Sequence, residues 1–377
     1  MLEQAATDTW IGRPVEELPT PIAVVDLDRL EANIARLAGY ARDHGIALWP
    51  HAKTHKMPPV ARMQLAAGAA GLTVAKVGEA EVFARHDLGP LLLHYPVYGP
   101  DAWRRLADVA GTVPLTVAVD SYDVAEPLAA ALAAAGTSAE VLVEIDVGLH
   151  RTGVASPAAA RALGERLDGL AGLGVAGISC FPGHVGGPSA DIEQKLAAVE
   201  AMLADAASRF AEAGLRCDRV SGGCTPAMTM THLTPSVNEL RAGTYVFLDR
   251  SEVAFDSPLT LDDCALRVHA TVVSTAVAGN AVVDAGTKTL SDALYRGPGG
   301  EGRGAVVGHP EVTIPFTNEE HGICDVSRSP VEWHVGDRIE IVPNHVCTCV
   351  NLQDVICAAR EGVVEHVWTV EARGKIR

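Results

Sequence analysis

Short runs of β-branched and aliphatic residues alternate with Ala- and Leu-rich stretches of helical period between about Thr20 and about Arg250. Strands that alternate with helices pair in parallel, and about eight strand–helix repeats indicate closure into a barrel. An open, doubly wound sheet is compatible with the same alternation, but no glycine-rich dinucleotide-binding fingerprint follows the first strand. The sequence therefore predicts an α/β fold built on a (β/α)8 TIM-type barrel. The predicted barrel strands are Ala47–Lys53, Leu72–Lys76, Leu91–Tyr95, Pro114–Asp120, Val141–Val147, Val175–Phe181, Arg219–Ser221 and Leu240–Phe247.

The pattern changes after Asp256, where sustained helical period disappears and strand-like runs are joined by Gly, Pro and Asp turns. We expect residues 20–255 to form the barrel, and residues 256–377, together with about residues 1–19, to form a second, mostly β domain. The predicted strands of this domain are Cys264–Val277, Ala281–Ala285, Gly304–Val307, Arg338–Val342, Asp354–Ala359 and Val363–Val370.

Composition excludes several classes of partner. The chain has 377 residues and a net charge of −17, which repels nucleic acid and anionic membrane surfaces, so we expect neither as a partner. Any anionic ligand must be held by a local site. No apolar run approaches the roughly 20 residues that span a bilayer, and residues 1–20 do not resemble a signal peptide. The eight cysteines are interpreted as reduced thiols, which predicts a cytoplasmic protein.

The first barrel strand ends in a cluster of basic residues, in which His51 and His55 flank Lys53. Barrel active sites lie at the C-terminal ends of the strands. A lysine at that end is open to partial desolvation, which lowers its pKa and frees the amine for Schiff-base chemistry. Taken alone, the position of Lys53 favours an ordinary surface lysine, and His51 and His55 would be core or surface histidines.

Two loops at the predicted barrel mouth offer anion-binding groups. Gly222 and Gly223 follow a late strand, where consecutive glycines let backbone N–H groups converge on a phosphate, and Thr225 adds a hydroxyl donor. A simple turn is the alternative interpretation. Arg151 follows the fifth strand and offers a fixed charge to an oxyanion or a phenolate. Alternatively, Arg151 is a loop arginine that pairs with Asp146.

A fourth cluster lies in the predicted β domain, in the segment Pro343–Leu352. If this segment is a strand, His345, Cys347 and Cys349 share one face, because residues two apart point the same way. An imidazole with a thiolate suits Zn²⁺ or a similar divalent ion, and two protein ligands leave positions open for substrate or water. The alternative is a buried histidine and two buried thiols in a core strand.

Together these segments resemble the D-threonine aldolase and D-serine dehydratase family, which consists of pyridoxal-phosphate (PLP) enzymes of fold type III with an alanine-racemase-like fold. The resemblance extends over nearly the whole chain. The matching segments are Thr20-Pro21, Val25–Leu27, Pro50–Lys56, Lys76–Ala80, Asp146–Gly153, Ser221–Thr225, Leu240–Phe247, Val283–Gly286, Glu320–Gly322, Pro343–Leu352 and Ala372–Gly374. The His-Ala-Lys segment followed by the Pro-Asn-His-x-Cys segment is its most specific feature.

The resemblance implies PLP as cofactor, joined to Lys53 through a Schiff base, with Lys53 also moving the α-proton or the hydroxyl proton. It implies a divalent metal, Zn²⁺ or Mn²⁺, a small D-hydroxy amino acid as substrate, and a homodimer whose active site lies at the subunit interface. The implied phosphate ligands are Gly222, Gly223, Thr225 and Tyr245, Arg151 faces the phenolic oxygen, and His345 and Cys347 bind the metal. His51 is included as a candidate catalytic residue, while the roles of His184 and His321 stay unassigned.

The same machinery serves two reactions. With the hydroxyl activated, Cα–Cβ cleavage gives glycine and an aldehyde; loss of the hydroxyl instead gives a keto acid and ammonia. Cys347 stands where the dehydratases have cysteine and the aldolases usually have aspartate, whereas Val350–Leu352 and the segment Ala372–Gly374 are more similar to the aldolases. We favour aldol cleavage, with D-serine or 3-hydroxy-D-aspartate dehydration as the alternative.

Two further readings stay open. An amino-acid racemase needs a second base, usually a tyrosine, and Tyr295 is the only tyrosine of the predicted β domain. A non-catalytic PLP carrier is the other, although such carriers generally lack an appended β domain. Phe181 departs from the family pattern, because many relatives have there a tyrosine that faces the pyridine nitrogen of the cofactor.

Overall fold

The structure, a computed structural model, describes residues 8–186, 189–254 and 258–377. The chain divides into two compact units. The barrel unit comprises Ala35–Lys53, Pro58–Gly243 and Gly374–Arg377, and the sheet unit comprises the described residues up to Ile34, Thr54–Met57 and Thr244–Arg373. The domain boundary expected at residues 255 and 256 lies outside the described residues. Among the described residues, the structure contains no helix with the length and apolar character needed to span a membrane.

The barrel unit is built on eight strands whose neighbours are all parallel. The strands, numbered along the chain, are β2 (Ala47–Leu48), β3 (Leu72–Val74), β4 (Leu91–Leu93), β5 (Leu115–Val119), β6 (Ala139–Ile145), β7 (Leu173–Cys180), β8 (Arg219–Gly222) and β9 (Glu239–Leu240). β2 pairs with β9 on one side. On the other side His51 bridges to Thr73, and the N–H of Thr73 donates to the carbonyl of Pro50 at 2.8 Å. The sheet therefore closes on itself.

Among the described residues, one α-helix precedes the first barrel strand, α1 (Leu27–Asp43). The helices that follow barrel strands bury their apolar faces against the barrel sheet in one large core. They are α2 (Pro58–Ala66), α3 (Val77–Arg85), α4 (Pro100–Ala110), α5 (Tyr122–Ala134), α6 (Pro157–Leu167) and α7 (Ser189–Glu212). The start of α6 shows how neighbouring residues determine where a helix begins. Ser156 accepts a hydrogen bond from the N–H of Ala159 at 3.2 Å, and Pro157 occupies the first helical position, where its missing N–H leaves no intrahelical bond unmade. The sequence prediction omitted α7.

Two predicted barrel strands have only two residues of regular pairing each in the structure. The strand expected over Ala47–Lys53 has regular pairing only over Ala47–Leu48, because Pro50 has no N–H and the chain turns after His51. The strand expected over Leu240–Phe247 ends at Leu240. There the N–H groups of Phe247 and Leu248 both donate to the carbonyl of Thr244, which makes a helical turn rather than a strand.

The sheet unit contains a nine-stranded, largely antiparallel sheet. Its strands are β1 (Ile22–Asp26), β10 (Leu266–Ser274), β11 (Asn280–Val283), β12 (Gly304–Val306), β13 (Thr313–Thr317), β14 (Gly322–Asp325), β15 (Arg338–Pro343), β16 (Val355–Arg360) and β17 (Val363–Thr369). β1 lies between β10, to which it is antiparallel, and β16, to which it is parallel. The sequence prediction omitted β13 and β14. The predicted fold class, a (β/α)8 barrel with a second, mostly β part, is confirmed.

The strand interpretation of Pro343–Leu352 is wrong. β15 ends at Pro343, and the unit has two short helices, α8 (Thr287–Leu290) and α9 (Val346–Leu352). His345 is the residue that precedes α9, so His345, Cys347 and Cys349 do not share the face of a strand. The alternation of valine, cysteine and threonine in this segment favours a strand, but a buried carboxylate from a distant part of the chain, Asp249, accepts from the first N–H of α9 and stabilises the helix.

Gly177 lies in β7 where the register with β6 shifts, with φ of 151°. A Cβ at this position would lie 1.9 Å from the carbonyl oxygen of Arg219, which is backbone of the neighbouring strand β8 and cannot rotate away. We expect Gly177→Ala to lower the free energy of unfolding by about 3 kcal/mol, as overpacking in a rigid core does. Urea unfolding of the purified variant measures this change.

Gly174→Ala in the same strand is the matched control, because nothing lies within 4 Å of the added Cβ. Its free energy of unfolding should stay within about 0.5 kcal/mol of the parent. Equal effects of the two substitutions would contradict the assignment of a tight backbone contact at Gly177.

Candidate active site

Parallel winding brings the C-terminal ends of all barrel strands to one end of the barrel unit. His51 and Lys53 follow β2, His94 follows β4, Arg151 follows β6, and Arg241 follows β9. Burial, followed by the charges of Lys53 and Arg241, holds the pKa of His51 well below its usual range. The structure therefore gathers His51, Lys53 and Arg151, all predicted from the sequence, with two residues that sequence reasoning missed, His94 and Arg241.

His94 is a buried histidine whose Nε2 has no hydrogen-bond partner among the described residues. Burial holds its pKa well below the usual range, and the positive charges of Arg241, Arg151 and Lys53 act in the same direction. Both histidines of the cluster are therefore neutral at pH 7 and available as hydrogen-bond donors or acceptors. His94 was missed because a single histidine after the run Leu91–Leu93 belongs to no motif, so the sequence alone does not distinguish it from a core residue.

Arg241 is a cation buried in the barrel unit, with only 3% of its surface exposed. Its guanidinium donates to the carbonyl groups of Cys180 and Ser221, the latter at 3.3 Å, and its Nε has no partner among the described residues. Burial lowers its pKa, which the charges of nearby carboxylates such as Glu144 oppose. A buried arginine that bonds to neutral carbonyl groups and keeps one donor unpaired is suited to bind an anionic or acceptor-bearing ligand.

Phe181 lies beside two of the predicted site residues. The Nζ of Lys53 lies 5.8 Å from the centroid of the Phe181 ring, and the Cζ of Arg151 lies 4.8 Å from it. The face of the Phe181 ring is therefore close to the cations of Lys53 and Arg151, which belong to different loops. Phe181 offers no hydroxyl to any ligand.

The Gly222–Thr225 turn follows β8. Gly223 has φ of 86°, and a Cβ there would lie 2.4 Å from Cδ1 of Leu240, so that only glycine fits. The hydroxyl oxygens of Ser179 and Ser221, near the ends of β7 and β8, are buried without a hydrogen-bond partner among the described residues. Buried polar atoms without partners call for a ligand or water. A cation-rich strand end with a glycine turn and spare polar groups fits a phosphorylated cofactor such as PLP.

A second cluster of predicted site residues lies in the sheet unit. The Nδ1 of His345 lies 3.3 Å from Oδ2 of Asp249, and hydrogen bonds to Asp249 and to Cys347 raise the pKa of His345 to about 10. The Sγ of Cys347 lies 3.3 Å from Oγ1 of Thr54. The side chain of His345 is 44% exposed, so a ligand can reach it. The predicted pair His345 and Cys347 is thus brought together, with Asp249 as an unpredicted third neighbour.

Other residues of the predicted set lie elsewhere. Cys349 does not join His345, because it is fully buried and its Sγ donates to the carbonyl of Thr289 at 3.2 Å. Tyr245 is fully buried in the sheet unit. His321 is exposed between β13 and β14. His184 packs over Gly148, where an added Cβ would lie 3.1 Å from its Nε2.

Comparison with known proteins decides the family. The model of the family described as "Alanine racemase, N-terminal domain" matches residues 25–251, and that described as "Putative serine dehydratase domain" matches residues 265–359. A D-threonine aldolase from Arthrobacter sp is 33% identical over 367 residues, covering 96% of this chain and 95% of that protein. The chain belongs to the alanine racemase-like family of D-threonine aldolases and D-serine dehydratases. The family predicted from the motifs is therefore confirmed.

Solved structures of the family agree with the observed fold. The crystal structure of a D-threonine aldolase from Filomicrobium marinum superposes with a TM-score of 0.90 at 32% identity, covering 97% of this chain and 98% of that chain. A D-threo-3-hydroxyaspartate dehydratase from Delftia sp. HT23 gives 0.81 at 32% identity, covering 94% and 98%. The aldolases and dehydratases of this family are PLP-dependent lyases, so the prediction of such an enzyme is confirmed.

Removing the amine of Lys53 tests the cofactor site. We expect Lys53→Ala to lose the visible absorbance of bound PLP and at least 1,000-fold in activity, about 4 kcal/mol of transition-state stabilisation, because no covalent link can form. Absorbance spectra and steady-state kinetics of the purified variant measure this loss. Lys76→Ala is the matched control, since Lys76 also follows a barrel strand but its Nζ lies over the ring of Tyr95 at 3.5 Å. Retention of both signals in Lys53→Ala would remove the assignment.

The buried histidines predict an acid-sensitive fold. Since the pKa values of His51 and His94 are well below the usual range in the folded chain, the unfolded chain binds protons first as the pH falls below about 6.5. The stability that these neutral rings contribute is complete above that pH and is lost towards lower pH. Urea unfolding between pH 7.5 and pH 5.5 should show a slope that is shallower in His94→Gln, by up to about 1.4 kcal/mol per pH unit. Equal slopes in the two proteins would contradict this expectation.

Proposed function

We propose that this chain is a PLP- and divalent-metal-dependent lyase that cleaves D-3-hydroxy-α-amino acids, in the manner of a D-threonine aldolase, to glycine and an aldehyde. One observation carries the proposal. Cys347, a predicted metal ligand, contacts Thr54, and Thr54 is the residue that follows Lys53. Cys347 therefore contacts the residue that a peptide bond joins to Lys53, the predicted cofactor lysine.

Within the barrel unit, Lys53, Arg151, Gly222, Gly223 and Thr225 would hold the cofactor. The role of Tyr245 as a further phosphate ligand, which the family resemblance implies, stays a prediction. When bound, PLP withdraws electrons from the Cα of an attached amino acid, so that a bond to Cα can break. The buried charge of Arg241 and the charge of Arg151 give a chain of net charge −17 a local site for an anion. The neutral rings of His51 and His94 add hydrogen-bonding groups without adding charge.

His51 supports Lys53 rather than acting alone. The backbone N–H of Lys53 donates to Nδ1 of His51 at 3.4 Å, and His51 also bridges to Thr73 of β3. Both contacts hold the turn that carries Lys53 at the end of the barrel. We propose that His51 is a positioning residue for Lys53. This role is narrower than that of the candidate catalytic residue predicted from the sequence.

His345 and Cys347 would hold the metal. One imidazole and one thiolate suit Zn²⁺, and with no group of three or more metal-binding side chains among the described residues, the remaining positions are open to water or substrate. Two solved variants of a D-threo-3-hydroxyaspartate dehydratase support this assignment. One replaces a histidine by alanine, and the other, in a metal-free form, replaces the cysteine two residues later. His345 and Cys347 have the same separation.

The reaction needs one mobile proton and one activated hydroxyl group. A divalent ion lowers the pKa of a hydroxyl group to which it binds. Lys53 Nζ takes the proton of that hydroxyl while the Cα–Cβ bond breaks, so that Cβ and its oxygen leave as the aldehyde. The same Nζ then delivers a proton to Cα, which completes glycine. D-threonine is in this way divided into glycine and acetaldehyde without any oxidant or added water.

Dehydration is the second candidate, and Cys347 favours it. A thiol at this ligand position is shared with the dehydratase whose cysteine variant is metal-free. In dehydration, a base removes the α-proton, the hydroxyl leaves as water, and hydrolysis gives a keto acid and ammonia. We place aldol cleavage first because the structural similarity to the Filomicrobium marinum aldolase is higher than that to the dehydratase.

A homodimer and a cytoplasmic location belong to the same proposal. The dimer, with its active site at the interface, is supported by the family resemblance. All eight cysteines lie among the described residues and none forms a disulfide bond, which is typical of a reducing compartment.

Product analysis tests the proposed reaction. The PLP-loaded enzyme with Zn²⁺ or Mn²⁺ is incubated separately with D-threonine and D-serine. We expect glycine and acetaldehyde from D-threonine in equal amounts, and at least 100-fold less pyruvate and ammonia from D-serine. Excess chelator and His345→Ala should each remove at least 99% of the activity while the absorbance of bound PLP persists. Full activity in chelator would overturn the metal, and pyruvate and ammonia as the main products would establish the dehydratase instead.

A further inference from the structure

Asp249 is a carboxylate with no exposed surface in the sheet unit. Its Oδ1 accepts from the backbone N–H groups of Ser251 and Glu252, at 3.0 and 3.1 Å. Its Oδ2 accepts from the N–H of Val346 at 2.9 Å and lies 3.3 Å from Nδ1 of His345. Burying a carboxylate is unfavourable unless it is well paired, and here all four contacts fix the direction of Oδ2.

The backbone also brings this carboxylate to the metal-ligand segment. The N–H of Arg250 donates to the carbonyl of Pro343 at 3.1 Å, and Oγ of Ser251 donates to that of Asn344 at 2.7 Å. Leu248, the residue before Asp249, has φ of 55°, in the left-handed region that a bulky side chain disfavours. Strained backbone of this kind persists only where the surrounding structure imposes it, and it clusters at functional sites.

The contact selects one nitrogen of His345. Nδ1 faces the buried carboxylate, while 44% of the side chain of His345 stays exposed. A carboxylate next to Nδ1 keeps the proton there, and in the neutral ring the lone pair is then on Nε2. Histidines that bind metals commonly donate their second N–H to a carboxylate, which orients the ring and strengthens its basicity.

We propose that Asp249 is a positioning residue that sets the tautomer and orientation of His345, so that Nε2 of His345 binds the divalent metal. The inference rests on the proposed function, because it takes His345 as a metal ligand. Asp249 also stabilises the start of α9 through the N–H of Val346, so a purely structural role is the competing explanation. The two roles differ in what they predict for metal affinity.

The first experiment measures metal affinity in the full-length, PLP-loaded protein after removal of metal. Zn²⁺ is titrated against a chromophoric chelator for the parent and Asp249→Asn, and thermal unfolding of the metal-free proteins is recorded in parallel. We expect the Kd for Zn²⁺ to rise 10- to 100-fold in Asp249→Asn. A Kd within threefold of the parent, with or without a lower Tm, would assign Asp249 a structural role only and overturn the proposal.

Glu252→Gln is the matched control. Glu252 is a half-buried carboxylate of this loop, and its Oε1 accepts from Oγ1 of Thr244 at 2.7 Å, a bond that glutamine can keep. Its Kd for Zn²⁺ should stay within threefold of the parent. A loss as large as that of Asp249→Asn would show that any change in this loop weakens metal binding, and would overturn the specific role of Asp249.

A second measurement uses the parent protein and does not depend on a variant that folds. In the Zn²⁺-loaded enzyme labelled with ¹⁵N-histidine, the proposal predicts a proton on Nδ1 of His345 and metal on Nε2, with the signals assigned by their loss in His345→Ala. Metal on Nδ1 would overturn the proposal. His345→Ala also separates the two levels of inference. If it leaves the Kd for Zn²⁺ unchanged, the proposed metal site fails; if it abolishes binding while Asp249→Asn does not weaken it, only the role of Asp249 fails.

Discussion

Parallel closure of the barrel is the constraint on which the candidate site depends. Because every strand runs in the same direction, residues that follow β2, β4, β6 and β9 meet at one end although up to about 190 positions separate them in sequence. The bridge between His51 and Thr73 completes this closure, and it lies two residues before Lys53. The same contact that closes the sheet into a barrel therefore also fixes the turn that carries Lys53, the proposed cofactor lysine.

Basic residues gather at the end of the barrel that carries the candidate site, although the whole chain has a net charge of −17. A protein with 47 acidic and 30 basic residues buries the guanidinium of Arg241 next to neutral carbonyl groups, and the charges that act on it include the carboxylates of Glu144 and Glu239. Burying such a cation is unfavourable by itself, and the carboxylates offset only part of the desolvation, because the pKa of Arg241 is lowered. Burial and the nearby positive charges lower the pKa values of His51 and His94, so both rings stay neutral at pH 7. Function rather than stability accounts for a cluster of this kind, because an anionic cofactor would offset its charge.

Sequence reasoning correctly predicted the barrel and the second, mostly β part, because hydrophobic period and turn residues act locally. It was wrong where a distant group decides the local structure. The segment after Pro343 has the alternation of a strand, yet the carboxylate of Asp249, almost 100 positions earlier, stabilises a helix there. His94, Arg241 and Asp249 were missed for the same reason. Each is a single polar residue in an ordinary context, and only the folded chain shows which groups surround it.

The segment Thr54–Met57 limits how the two units of this chain can be separated or exchanged. Directly after Lys53 the chain enters the sheet unit for four residues, and Thr54, His55 and Met57 are completely buried there. Lys53, the proposed cofactor lysine, is thus followed directly by a stretch that belongs to the sheet unit. Neither unit can be excised, exchanged or inherited as an independent module without uncovering the peptide next to this lysine. Recombination between relatives should therefore preserve the two halves as a matched pair.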